Sequence, residues 1–167
     1  MLSLAALNAL PGDQAAESLR ACCASAKWVA AMVSARPFAN HAGLIECADK
    51  AWSATGPADW AEAFASHPRI GEPANAVNAW SDAEQRRASE AAASTRAELA
   101  RANEEYERRF GRIYIVCASG RTGDEILANL RDRLANTPER EMEIAAAEQH
   151  RITRLRLGKL ISDSERA

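Results

Sequence analysis

Apolar residues recur along most of the chain at steps of three and four with polar residues between them, the period of helices packed on one side. Leu4, Leu7 and Leu10 mark a short opening turn that Pro11-Gly12 ends, and Asp13 stands where it would cap a second helix running through Leu19. Trp28, Val29, Met32 and Val33 follow at helical spacing until Arg36-Pro37, where the proline ring drives the residue before it out of the α region. Leu44, Ile45, Ala48, Ala51 and Trp52 line a further face that Gly56-Pro57 closes, and Trp60 and Phe64 share a face of the short helix beyond it. From Ser66 to Trp80 no stripe can be drawn, and Pro68, Gly71 and Pro73 predict a structured loop.

Ser81-Asp82-Ala83-Glu84 has the form of a capping box and predicts a long helix whose inward stripe runs through Ala88, Ala92, Thr95, Leu99, Ala102, Tyr106 and Phe110. Gly111 and Gly120 bracket Ile113-Tyr114-Ile115-Val116-Cys117-Ala118, a run too short for a helix of its own and rich in β-branched residues, so it should be extended and buried. Thr122-Gly123-Asp124-Glu125 repeats the capping-box logic before Ile126, Leu127, Leu130 and Leu134. Thr137 before Pro138 opens a last helix carrying Met142, Ala145, Gln149, Ile152, Leu155 and Leu160. With no internal repeat and no long linker, the expectation is one all-α domain over residues 1–167, a multi-helix bundle with one short extended buried segment.

Composition agrees with this pattern and narrows the function. Of the 167 residues 47% are hydrophobic but only 5% aromatic, which favours close-packed, alanine-rich helices over a β-sandwich. Lys and Arg number 21 against 23 Asp and Glu, a net charge of −2, so no basic field is available for nucleic acid or an anionic membrane surface. No stretch approaches the roughly 20 apolar residues of a membrane span, Met1-Leu2-Ser3-Leu4 lacks the basic end of a signal peptide, and Ser164-Glu165-Arg166-Ala167 is not a peroxisomal tripeptide, so a cytoplasmic location is expected. Cys22 and Cys23 are adjacent, Cys47 and Cys117 sit in apolar segments, and His41, His67 and His150 are scattered. The cysteines therefore read as small buried hydrophobes, and no metal site is expected.

Candidate chemistry gathers at three places. His67 lies in Ser66-His67-Pro68-Arg69-Ile70-Gly71-Glu72, where a rigid proline and a permissive glycine would hold the backbone around an imidazole able to give and take a proton near neutral pH. The bland alternative is a histidine that only tidies a turn. Glu84 is accounted for by capping Ser81, but a carboxylate in a first helical turn can also serve a ligand, and Gln85 beside it offers an amide that matches a urea-like group. Arg156, in Arg154-Leu155-Arg156-Leu157, would grip a carboxylate in a forked pair if it faced inward, the alternative being a solvated helix surface.

Taken in order, these segments resemble the 2-oxo-4-hydroxy-4-carboxy-5-ureidoimidazoline (OHCU) decarboxylase family. The resemblance runs through Trp28-Val29, Arg36-Pro37-Phe38, Trp60, Ala63-Phe64, His67 to Glu72, Ser81, Glu84-Gln85, Asn103 and Tyr106. It continues through Phe110-Gly111, Cys117-Ala118 with Gly120, Glu125-Ile126-Leu127, Arg133-Leu134, Asn136 and Leu155-Arg156-Leu157. It implies an all-α homodimer of about eight or more helices, acting without a cofactor on a small ureidoimidazoline carboxylate to give (S)-allantoin and carbon dioxide in urate breakdown. By the same resemblance His67 is the general acid/base with Glu84 as its partner, while Pro68, Ser81, Gln85, Ile113, Ile115 and Arg156 contact the substrate. Two other readings remain open on the residues alone: a cofactor-free hydrolase or tautomerase of a related ureide heterocycle, and a helical interaction module with no catalysis.

Overall fold

The computed structural model describes residues 1–70 and 93–161 of the chain. Among the described residues are eight helices: α1 (Leu4–Ala9), α2 (Gly12–Arg20), α3 (Ala26–Ser34), α4 (His41–Ser53), α5 (Pro57–Ala65), α6 (Ala93–Phe110), α7 (Gly123–Arg133) and α8 (Pro138–Leu160). This is the all-α class that the hydrophobic period predicts. The capping box at Ser81–Glu84 and the stripe positions Ala88 and Ala92 lie outside the described residues. By internal packing the chain divides into two compact units, residues 1–63 with 150–161 and residues 64–70 with 93–149.

In the first unit, short polar side chains start the helices. Ser3 accepts from the Ala6 amide at 3.0 Å, Ser25 from Trp28 at 3.3 Å and Asn40 from Gly43 at 2.8 Å, each supplying an acceptor for an otherwise unpaired first-turn donor. The second helix departs from expectation, because Pro11 takes its cap position with extended geometry and no side-chain cap bond is made. Asp13 instead lies within the first turn, where it complements the helix dipole. Packing joins α2 to α3 and α3 to α4, and the buried Trp28 indole donates to the Ala48 carbonyl at 3.1 Å. Arg36 gathers the carbonyls of Leu7, Leu10 and Val33, while Asn8 and Phe38 exchange a reciprocal pair of 2.9 Å bonds.

The C-terminal half of α8 belongs to the same unit and buries Ile152, Thr153, Arg156, Leu157 and Leu160. Leu155, expected on the inward stripe, is 37% exposed. The reason is angular: Leu155 falls on the i, i+4 row of the exposed Arg151 and beside Arg154, whereas Leu157 follows Thr153 inward. The cysteines divide similarly. Cys22 and Cys23 are buried as expected, but Cys47 and Cys117 are only half-buried.

The second unit is built on α6, whose Leu99, Ala102, Tyr106 and Phe110 form the predicted buried row, and α6 packs on α7. Gly111 and Gly120 take φ of +67° and +83°, left-handed conformations that let the chain leave α6 and later enter α7 sharply. Between them Tyr114, Ile115, Val116 and Ala118 are buried in an irregular extended segment, as predicted. Buried backbone groups still need partners. Side chains provide them: Arg133 donates to the Ile115 carbonyl at 2.7 Å and Glu148 accepts from the Cys117 amide at 2.8 Å. The expected capping box at Thr122 and Glu125 is present, and Thr137 accepts from Arg140 at the start of α8.

Glu141 is the polar centre of this unit, fully buried near the start of α8. Its Oε1 accepts from the Tyr106 hydroxyl at 2.5 Å and from Arg133 Nε at 2.8 Å, Arg133 Nη2 joins it, and its Oε2 accepts from Asn136 at 2.8 Å. Arg133 also lies 4.6 Å from the Tyr114 ring centroid. Burial disfavours the guanidinium charge, but the Glu141 carboxylate outweighs that penalty and holds Arg133 above its ordinary value. Burial, reinforced by the same carboxylate, pushes the Tyr106 hydroxyl far up, so it remains a donor through alkaline pH.

Glu141→Ala, which strands Arg133 without its counter-charge, is expected to lower stability by about 3–5 kcal/mol in urea denaturation, and Arg133→Met together with Glu141→Leu to cost less than either change alone. Burial pushes the Cys23 thiol up to about 11 against the lowering influence of Ser25, Thr153 and Arg156. Iodoacetamide at pH 8 is therefore expected to label Cys47 at least about tenfold faster than Cys23, read by mass spectrometry of the folded protein.

Candidate active site

The stretch around His67 begins where α5 ends. After Ala65 the chain turns, with the His67 amide donating to the Phe64 carbonyl at 3.0 Å. His67 and Pro68 are half-buried, and the imidazole Nε2 is shielded from solvent. Downstream the turn is tied to α6 twice. Arg69 forks onto Glu107, Nε to Oε1 at 2.5 Å and Nη2 to Oε2 at 2.7 Å, and the buried Asn103 amide donates to the Ile70 carbonyl at 3.2 Å. Ile70 itself enters the apolar cluster formed by Leu99, Tyr106, Tyr114 and Val116.

Energetically the two ties differ. Arg69 and Glu107 side chains are 48% and 24% exposed, so the pair adds about 1 kcal/mol or less to stability, although the bidentate geometry orients it well. The Arg69 guanidinium holds the Glu107 carboxyl below its ordinary value of 4.5. Because the folded value is the lower one, the contribution is complete above that pH and disappears only as the pH falls through the lowered value. The tie is thus intact at neutral pH. Removing the Asn103 amide would leave the buried Ile70 carbonyl without that donor, a loss of about 1–3 kcal/mol.

Ile113 and Ile115 stand on the extended segment of the same unit, Ile113 half-buried and Ile115 buried. The Ile115 carbonyl uses one lone pair on Arg133. His67 and Pro68 thus share a unit with Ile113 and Ile115, and the apolar row of α6 connects the two segments. Arg156 belongs to the first unit, where it is 2% exposed. Of the two alternating arginines it is the inward one, since Arg154 is exposed and bonds Asp49 at 2.9 Å beside His150, which meets the other Asp49 oxygen at 2.7 Å. Ser81, Glu84 and Gln85 lie outside the described residues.

Sequence reasoning passed over Asn103 and Glu107 as site-forming groups, and over Glu141 altogether. Asn103 carried a signal, an amide four residues after Leu99 on an otherwise apolar row. Glu141 carried a similar one, four residues before Ala145. Arg69 and Glu107 are 38 residues apart and have no local pattern that would couple them. Among the described residues no group of three or more His, Cys, Asp or Glu is placed to hold a metal ion, and no helix is long and apolar enough to cross a membrane.

The family model for OHCU decarboxylase matches residues 8–158. The uric acid degradation bifunctional protein TTL of Arabidopsis thaliana is 40% identical over a region covering 86% of this chain and 46% of that protein. The 2-oxo-4-hydroxy-4-carboxy-5-ureidoimidazoline decarboxylase of Amia calva is 38% identical over 39% of this chain and 37% of its own length. The chain therefore spans less than half the length of these curated relatives. A crystal structure of an OHCU decarboxylase in the presence of (S)-allantoin superposes with a TM-score of 0.78 at 39% identity, covering 88% of this chain and 99% of that one. An (S)-allantoin synthase structure, 21% identical with a TM-score of 0.68, covers 97% of this chain and 54% of its own and shares the fold. With nearly all of its helices and both the His67 and Arg156 segments inside the matched span, this chain belongs to the OHCU decarboxylase family.

Proposed function

We propose that the chain is a carboxy-lyase that converts 2-oxo-4-hydroxy-4-carboxy-5-ureidoimidazoline to (S)-allantoin and carbon dioxide in urate breakdown, without a cofactor. The observation that carries this is the near full-length similarity to an OHCU decarboxylase whose structure was determined with (S)-allantoin. The inward Arg156 and the tethered turn bearing His67 are the local features that suit it.

The substrate's chemistry explains why so few groups suffice. When the bond from the ring carbon to its carboxylate breaks, the electron pair moves toward the adjoining ring carbon, and the neighbouring C=N takes up charge at nitrogen, so the substrate carries its own electron sink. Carbon dioxide departs, and a proton taken up from solvent neutralises that nitrogen, leaving an enol. Loss of its hydroxyl proton and delivery of a proton to the carbon bearing the ureido group complete the conversion, and one face of that carbon must be chosen to give the S product. In this reading His67 moves the proton, with Glu84 orienting or sharing it. Arg156 receives the carboxylate through its fork of donors, Ser81 and Gln85 bond the ureido and ring groups, Pro68 shapes the wall, and Ile113 and Ile115 supply backbone groups and a dry boundary. Four cysteines carried as free thiols suit a reducing, cytoplasmic setting, and a homodimer follows from the family resemblance.

Freshly generated ureidoimidazoline is expected to yield carbon dioxide and (S)-allantoin when the purified protein is added; ring hydrolysis without carbon dioxide would replace this reading with the hydrolase one. His67→Asn should lower turnover at least about a hundredfold with helix content intact by circular dichroism. Glu84→Gln, which keeps much of a cap, should still impair turnover; if only Glu84→Ala did so, and through a lower melting temperature alone, capping would be the residue's whole role.

A further inference from the structure

We infer that Asn103 and Glu107, two polar residues one helical turn apart on α6, are positioning residues that set where the His67 imidazole stands. The inference rests on the reading of His67 as the proton-transfer group. Four residues along a helix advance by about 6 Å, so the two side chains leave the same face of α6 on successive turns. They grasp successive residues of the His67 turn: Glu107 takes the Arg69 guanidinium in a two-point fork, and Asn103, 4% exposed, holds the Ile70 carbonyl. Upstream the His67 amide is bonded to Phe64, and downstream Pro68 has a locked φ. His67 therefore sits on a short bridge attached at both ends, with little backbone freedom left between the attachments.

Packing alone does not call for these residue types. Asn103 occupies a register position between Leu99 and Tyr106 that an apolar side chain would fill, and its amide is spent on a carbonyl of the turn. Glu107 lies nearer solvent, where a pair is directional more than stabilising. Orientation is what proton transfer needs, since a displacement of about 1 Å at a reacting group can cost on the order of a hundredfold in rate.

The test compares kcat and KM for Glu107→Ala and Asn103→Leu, each alone and combined with His67→Asn. We expect Glu107→Ala to lower kcat about tenfold or more with KM within about twofold and melting temperature nearly unchanged. In the His67→Asn background neither substitution should lower kcat further. The charge swap Arg69→Glu with Glu107→Arg should regain part of what either single change loses. Equal losses with and without His67, or a fall in kcat that merely follows melting temperature, would overturn the inference. A second readout needs no substrate: the His67 imidazole resonances, followed by NMR across pH, should shift between wild type and Glu107→Ala, and identical titration curves would sink the proposal. If the wild-type protein failed to decarboxylate the ureidoimidazoline while that NMR difference appeared, the functional reading would fall and the positioning role would stand.

Discussion

A single buried carboxylate organises the second unit. Glu141 takes donors from α6, from α7 and from the turn before α8, so Tyr106, Arg133 and Asn136 all close on one residue. An isolated charge in such a place would be severely penalised, and its presence is tolerable only because several hydrogen bonds replace its water. Arg133 carries the arrangement onward, since the same guanidinium that meets Glu141 also fixes the Ile115 carbonyl and lies over the Tyr114 ring. Extended segment, α6 and α8 are thereby referenced to one point.

That reference matters to the turn bearing His67 because its two ties end on α6, the helix that also supplies Tyr106 to the carboxylate. Asn103, Tyr106 and Glu107 occupy little more than one turn. A residue expected to exchange protons is thus placed by a helix that is itself held by a buried polar network, which is how a site on irregular backbone can be as well defined as one on a regular element.

Much of this was legible in the residues. Leu99, Ala102, Tyr106 and Phe110 announce α6 by period, the paired glycines announce the extended run, and Thr122 with Glu125 marks the start of α7, because each signal lies within a few neighbours and depends on local geometry. Asp13 was misread as a cap because Pro11 reaches the extended conformation first, and Leu155 because helical rows three and four residues apart diverge over a long helix. What local pattern cannot contain is the distant pairing: nothing near Arg69 names Glu107, and nothing near Glu141 announces Tyr106, 35 residues earlier. His67 and Arg156 were recognisable by type and neighbourhood, whereas the residues that hold the His67 turn are ordinary polar side chains whose meaning lies in their partners.

The run from Ile113 to Ala118 has a further consequence. It is uncharged, free of proline and rich in branched residues, the composition of a segment that stacks readily into intermolecular sheets. In the folded chain Tyr114, Ile115, Val116 and Ala118 are withdrawn from solvent, and an arginine and a glutamate engage the Ile115 carbonyl and the Cys117 amide that another strand would otherwise recruit. Arg133 and Glu148 therefore occupy two of the backbone groups through which such stacking proceeds, besides supporting the backbone they hold.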